Sequence, residues 1–174
     1  MSLYLLDGTR TPQLEFRRFT PEDEPAWLPF FADPESTRYW EGIPPDPAVA
    51  CRQQFERIME RYRDNLGGMN ALVYRETGQL AGMCGLLVQE VDGMPELEIG
   101  YSLLPWARGR GLAAEAARHC RDTAWANDWS RRLISIIHVD NRPSMRVAES
   151  LGMTRDKRTV YRANPVWIYA IHRK

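Results

Sequence analysis

Leu97-Glu98-Ile99-Gly100-Tyr101-Ser102-Leu103-Leu104-Pro105-Trp106-Ala107-Arg108-Gly109-Arg110-Gly111-Leu112-Ala113-Ala114-Glu115-Ala116 is the stretch whose reading decides the fold. Its first part alternates as a strand does, Pro105 closes that run, and the Ala-rich pattern beyond Gly111 has helical spacing. A glycine-bearing turn therefore joins a strand end to a helix start. The first N–H groups of a helix lack intrahelical acceptors, and the helix dipole makes that end partly positive, so an anion such as phosphate settles there. Gly109 and Gly111 let the backbone approach a bulky anion, and Arg108 and Arg110 add charge beside it.

Two familiar phosphate-binding turns fit poorly. A nucleotide P-loop ends in Gly-Lys-Ser/Thr, whereas Gly111 is followed by Leu112, Ala113 and Ala114. A dinucleotide fingerprint tolerates Gly109-x-Gly111-x-x-Ala114, but it belongs in the first βα turn of a parallel unit. Here the turn comes late, after two hairpin-like runs.

Arg108-x-x-Gly111-x-Ala113 resembles the Arg/Gln-x-x-Gly-x-Gly/Ala signature of the GNAT superfamily of acyl-CoA N-acyltransferases. Independently, the segment from Asp140-Asn141-Arg142-Pro143-Ser144 to Gly152-Met153 resembles the Asn-x-x-Ser segment of the branch related to ribosomal-protein alanine acetyltransferases (RimJ/RimL-like). The resemblance runs loosely from about Leu14 to the C-terminus. It implies direct acetyl transfer from acetyl-CoA to a primary amine. Backbone groups around Leu103 are then expected to pair with the pantetheine arm, with an N–H near Leu103 aimed at the thioester oxygen. N–H groups from Gly109 to Ala114 are expected to hold the pyrophosphate, with Asn141 also at the coenzyme.

Glu98 is the candidate base, because the resemblance places an acid there. Strand parity puts Glu96 and Glu98 on one face and Leu97, Ile99, Tyr101 and Leu103 on the other, so a solvated acidic face is the competing expectation. Many family members carry a thiolate-stabilising tyrosine seven residues after the Asn141 position, where this chain has Ala148. Ser144 is what the branch offers instead, and two readings stand: a hydroxyl at the coenzyme sulfur, or a helix-capping serine. Asn141 shares that ambiguity. His138 is read as a proton relay or as a satisfied core histidine, and Glu115 as a structural anchor.

The 174 residues suit one domain, taken as 1–174, able to bury a core without staples. Lys plus Arg number 23 and Asp plus Glu 23, so no overall field recommends nucleic acid or a membrane as partner. Cys51, Cys84 and Cys120 are far apart in sequence and form no Cys-x-x-Cys pair, which suits reduced thiols. The start, Met1 to Asp7, lacks a basic leader region, and no membrane-length apolar run follows, so a cytoplasmic protein, monomer or homodimer, is expected. His119, His138 and His172 are scattered, and no metal is expected. His119-Cys120 are sequential on a helix and point apart, which disfavours a cysteine nucleophile.

Read in order, Leu14 to Phe19 forms a strand, and Thr20-Pro21 opens a short helix through Trp27 and Phe31. Ala32 to Pro47 has no period and reads as a loop, with Tyr39 and Trp40 as acceptor-pocket candidates or, for Trp40, a core-edge cap. Asp46-Pro47 opens a helix ending before Gly67-Gly68. Asn70–Arg75, Leu80–Gln89 and Leu97–Leu104 form a meander turning at Thr77-Gly78 and Asp92-Gly93. A helix from Leu112, a strand at Leu133–His138, a helix capped by Asn141 and stopped by Gly152, and a hairpin across Asn164-Pro165 complete the chain. The fold class is α/β, a mixed and largely antiparallel central sheet with helices on both faces. The acceptor reading is an α-amine of a protein N-terminus or small molecule. The rival is a non-catalytic acyl-CoA-binding or sensory domain, which the missing tyrosine at Ala148 favours.

Overall fold

The computed structural model describes residues 3–174, so Met1 and Ser2, where the leader reading begins, lie outside it. The strands are β1 (Leu14–Arg18), β2 (Gly67–Tyr74), β3 (Leu80–Val91), β4 (Met94–Leu103), β5 (Arg132–His138), β6 (Thr154–Tyr161) and β7 (Asn164–His172). The α-helices are α1 (Glu24–Ala32), α2 (Pro47–Asp64), α3 (Leu112–Ala126) and α4 (Arg142–Ser150). The strands form one seven-stranded sheet in the order β1-β2-β3-β4-β5-β7-β6. Every neighbouring pair is antiparallel except β4 and β5. Among the described residues no helix is long and apolar enough to cross a membrane.

Period-2 burial in the meander sorts its side chains to two faces. Cys84, Leu86, Leu97 and Ile99 pack with the small-residue stripe Ala116, Ala117, Cys120 and Ala124 of α3, and with Met145 and Ala148 of α4. Ala71, Met83 and Leu104 pack instead with Trp27, Phe30 and Phe31 of α1 and Cys51, Phe55 and Ile58 of α2. The mixed sheet with helices on both faces is as the sequence predicts.

Several local details differ. Thr20 and Pro21 open a 3-10 turn, Pro21–Asp23, and α1 starts only at Glu24. Helix α2 stops at Asn65, held left-handed at φ 55, with Gly67-Gly68 already inside β2. These glycines serve strand approach rather than helix termination: a Cβ on Gly67 would lie 2.1 Å from the Leu86 carbonyl oxygen. The last hairpin turns on Arg162-Ala163, both with positive φ, so Asn164-Pro165 already belongs to β7. Asn and Gly are the residues that favour such a primed turn, so the local signal pointed two residues too far. On α4 the buried positions are Met145 and Ala148. Cys84 and Cys120, distant in sequence, bring their sulfurs to 3.6 Å inside the core; all three cysteines are free thiols.

Glu115 is a structural anchor. It accepts hydrogen bonds from the Thr11 hydroxyl (2.6 Å), the Gln13 backbone N–H (3.0 Å) and the Gln13 side-chain amide (3.0 Å), tying the approach to β1 onto the first turn of α3. Burial opposes its ionisation, but these donors outweigh burial and hold its pKa below the ordinary glutamate value. A depressed carboxylate stabilises the fold fully above its unfolded pKa, roughly 4.3, and that contribution is lost as pH falls through the lower folded value. Glu115→Ala is therefore expected to lose about 1–3 kcal/mol in denaturant unfolding at pH 7, with the gap to wild type shrinking at acid pH.

Candidate active site

The parallel contact of β4 with β5 is confined to a single register pair, Glu98↔Ile134. Beyond it the strands part. The Leu104 N–H is taken by the Ala81 carbonyl at 2.8 Å, and β4 pairs with β3 without a register shift. In an antiparallel ladder the backbone groups of alternate residues face the partner. Those of Ile99, Tyr101 and Leu103 therefore face the gap. The Ser135 hydroxyl caps the Ile99 carbonyl at 2.8 Å across the mouth of that gap. The expected N–H near Leu103 is thus Leu103's own or Tyr101's, whereas that of Leu104 is occupied.

A cleft of about 1160 Å³ runs along this splay, between α2, the 33–46 loop, α4 and the β6–β7 turn. Its lining includes the expected Leu103, Gly109, Gly111, Ala113, Ala114 and Asn141. Gly111 caps α3 with φ 75 and ψ 8, and the first intrahelical bond is Glu115 N–H to the Gly111 carbonyl. The N–H groups of Leu112, Ala113 and Ala114 consequently have no acceptor within the helix. Gly109 also has φ 75, and a Cβ at either glycine would meet open space. That arrangement fits a diphosphate: donors converge on room that side chains leave free.

The arginines of the turn are disposed differently from the sequence reading. Arg108 donates to Asp33 at 2.8 Å and to Ser36 at 2.6 Å, so its charge secures the 33–46 loop. Arg110 is outside the cleft lining, with its guanidinium 5.4 Å from the Trp106 ring centre. The backbone N–H groups of this turn are thus the donors left without a partner that face the cleft.

Glu98 stands at the apex of the splay. Gln89 donates its amide to Oε1 at 3.0 Å, and the Ile136 backbone N–H of β5 donates to Oε2 at 3.4 Å. Burial raises its pKa above the ordinary glutamate range, outweighing those two donors and the nearby charges of Arg61 and Arg162. The expected solvated acidic face is therefore absent: Glu98 is recessed in the cleft on Gln89 and Ile136, and Glu96 is engaged by Arg132 at 3.1 Å. Gln89 had no sequence signal of its own, yet its carbonyl accepts from Arg61 at 2.9 Å and from the Tyr161 hydroxyl at 3.0 Å. The register of the Asp92-Gly93 hairpin makes Gln89 the diagonal neighbour of Glu98, which is the clue that was available.

Asn141 caps α4 by accepting from the Ser144 N–H at 3.3 Å. Ser144 lines the cleft, and its carbonyl accepts from the Tyr101 hydroxyl at 2.7 Å. Tyr101, also unforeseen, thus spans the gap and fixes the start of α4; burial pushes its phenol far above the ordinary value. His138 accepts at Nδ1 from the Asp140 N–H (3.1 Å) and stacks on Tyr39, ring centres 5.1 Å apart. Trp40 lies against Phe30 at 5.4 Å and, like Tyr39, lines the cleft. His119 bonds Thr9, away from the buried Cys120. Among the described residues no three His, Cys, Asp or Glu side chains are grouped to hold a metal ion.

The family model for the acetyltransferase (GNAT) domain matches residues 13–154. This chain belongs to the GNAT family. The uncharacterized Bacillus subtilis (strain 168) protein YkkB is 31% identical over 143 residues, covering 80% of each chain. An acetyltransferase structure from Agrobacterium tumefaciens str. C58 superposes with TM-score 0.80 at 29% identity, over 95% of this chain and 94% of that one. The ribosomal L7/L12 α-N-protein acetyltransferase RimL, solved with coenzyme A, shares the fold at TM-score 0.74 and 16% identity, over 95% and 97% of the two chains. As a GNAT acetyltransferase the protein uses acetyl-CoA as co-substrate and acts on an amine acceptor.

An acid in the first turn of α3 favours the helix dipole but repels a diphosphate. Ala113→Asp in this GNAT acetyltransferase is therefore expected to keep or raise the melting temperature of the free protein while weakening coenzyme A binding at least about ten-fold by calorimetry. Unchanged affinity would place the diphosphate elsewhere.

Proposed function

We propose that this protein acetylates α-amines, on a protein N-terminus or a small molecule, in preference to lysine side chains. The observation that carries the reading is Glu98, a carboxylate recessed at the apex of the β4–β5 splay and held by Gln89 and Ile136. In this reading acetyl-CoA lies along the free edge of β4. Its diphosphate meets the N–H groups from Gly109 to Ala114, and Leu103 pairs with the pantetheine arm. The Tyr101 N–H, nearer the base, donates to the thioester oxygen as negative charge develops there. Glu98 takes the proton from the attacking amine, directly or through one water. The tetrahedral adduct then collapses with loss of the coenzyme thiolate, beside Ser144. Tyr39 and Trp40 wall the acceptor side.

Protonation arithmetic favours the α-amine. Its pKa is about 7.7–8.0 against about 10.4 for lysine, so near neutral pH a lysine site must supply roughly 3–4 kcal/mol more activation. A carboxylate base, even with a raised pKa, remains a weak base for that task. Peptides with a free N-terminus and blocked lysine are expected to show the higher kcat/KM at pH 7. A win for the reverse peptides refutes the preference.

Two variants test the roles. Glu98 must be ionised to accept a proton, so kcat/KM rises with pH through its raised pKa; Glu98→Gln removes that limb and lowers kcat by roughly 10²–10⁴-fold. Ser144→Ala loses kcat at unchanged coenzyme affinity if the hydroxyl assists the thiolate. A loss confined to about 1 kcal/mol of stability instead assigns Ser144 to capping alone.

A further inference from the structure

We infer that the acceptor carries an anionic group, a carboxylate or phosphate, in the same molecule as its reactive amine, and that Arg57, Arg61 and Arg162 receive it. The inference rests on the placement of the amine at Glu98 in the preceding reading and adds the chemistry of the acceptor's remainder.

Arg57 and Arg61 are one turn apart on α2 and so share a helix face; Arg162 sits in the β6–β7 turn, and all three line the cleft. Arg61 is half-buried and donates to three acceptors: the Leu66 and Val88 carbonyls, both at 3.1 Å, and the Gln89 side-chain carbonyl at 2.9 Å. Each of these is neutral. Among the described residues no carboxylate lies within ion-pair distance of Arg57, Arg61 or Arg162, although Arg162 lies 5.2 Å from the Tyr161 ring centre. Of the other arginines in the lining, Arg38 is matched with Glu35 at 3.5 Å and Arg108 with Asp33 at 2.8 Å, while Arg146 stands on α4, on the coenzyme side of the cleft beside Ser144. Of the remaining acids in the lining, Glu41 is an exposed loop residue and Glu98 is the base. Glu98 acts on Arg61 and Arg162 only from beyond ion-pair distance; a partly desolvated guanidinium so incompletely balanced is costly, and a bound anion relieves that cost.

Position separates Arg61 from the coenzyme. Val88 and Gln89, which hold Arg61, are registered with Leu97 and Glu96, on the far side of Glu98 from the glycine turn. An anion there belongs to the acceptor. The same charges act on the amine: a nearby cation disfavours the ammonium form and so leaves more free amine for a weak base to handle. The field that attracts the acceptor's anion thus also helps its nitrogen attack. A polyamine or aminoglycoside, cationic throughout, is disfavoured on both counts.

The test compares acceptors matched in size and differing in one charge, by thiol release with saturating acetyl-CoA, with kcat/KM expressed per unprotonated amine because a neighbouring carboxylate raises the amine's own pKa. One pair is a free amino acid and its carboxamide; the other is a tripeptide amide with Glu or Gln as its second residue. The expected result is a preference of roughly ten-fold or more in kcat/KM for the acidic member of at least one pair. The pair that shows it distinguishes a small molecule from an acidic N-terminus. Arg57→Gln and Arg162→Gln should each shrink the acid-to-neutral ratio, mainly through KM of the acidic member, and the double variant should bring it within about two-fold. Equal rates within both pairs, or a preference that survives the double variant, overturn the inference and leave the α-amine reading intact. Turnover of neither pair overturns both.

Discussion

Two neighbouring parallel strands that separate after one register pair, Glu98↔Ile134, set the terms for the rest of this molecule. Backbone N–H and C=O groups that leave a ladder must be satisfied elsewhere. The protein meets part of that demand with side chains: Ser135 on the Ile99 carbonyl, Glu98 on the Ile136 N–H. Tyr101 braces the opposite wall by bonding the Ser144 carbonyl. What remains is a free strand edge inside a cleft, the kind of surface that an extended, amide-bearing ligand completes. The Ala-rich stripe of α3 brings that helix close under the sheet, and the glycine turn then delivers its N-terminus to the end of the same edge.

The polar apex is held between two apolar bodies. One cluster fastens α3 and α4 to one face of the sheet and the other fastens α1 and α2 to the opposite face, so the cleft walls belong to well-packed units. Within it, Gln89 is satisfied on both sides of its amide, giving to Glu98 and receiving from Arg61 and Tyr161. That network links α2, β3, β4 and the end of β6 through one side chain. A raised carboxylate pKa follows from the same enclosure, because burial penalises the charged form more than two donors and the nearby charges of Arg61 and Arg162 restore it.

Much of the fold was legible because its signals are short-range. Period-2 and period-3.6 patterns, Asp46 and Asn141 as caps, and Asp92-Gly93 as a primed turn all act within a few residues. The misreadings have the same origin. Gly67-Gly68 looked like a helix stop, but the missing side chain is needed at Gly67 where β2 passes β3 and at Gly68 where β2 passes Tyr62 of α2. Arg162-Ala163 forms a turn that local preference disfavours, held by the pairing of β6 with β7. Arg108 looked like a phosphate ligand until the fold brought Asp33 and Ser36 beside it.

By itself the sequence determined the element order, the strand-turn-helix device with its donors facing outward at Gly109 to Ala114, and an acid on the strand that leads to it. Each is a property of neighbouring residues and their backbone preferences. Only the tertiary structure decided that Glu98 is recessed rather than solvated, that Gln89 holds it, and that Arg61 meets Gln89 from α2 while Arg57 and Arg162 line the same cleft. Those residues lie on α2, β3, β4 and a distant hairpin, and nothing local encodes their meeting. Their juxtaposition comes from strand register and from the packing of α2 over the sheet, which are set by the whole core at once.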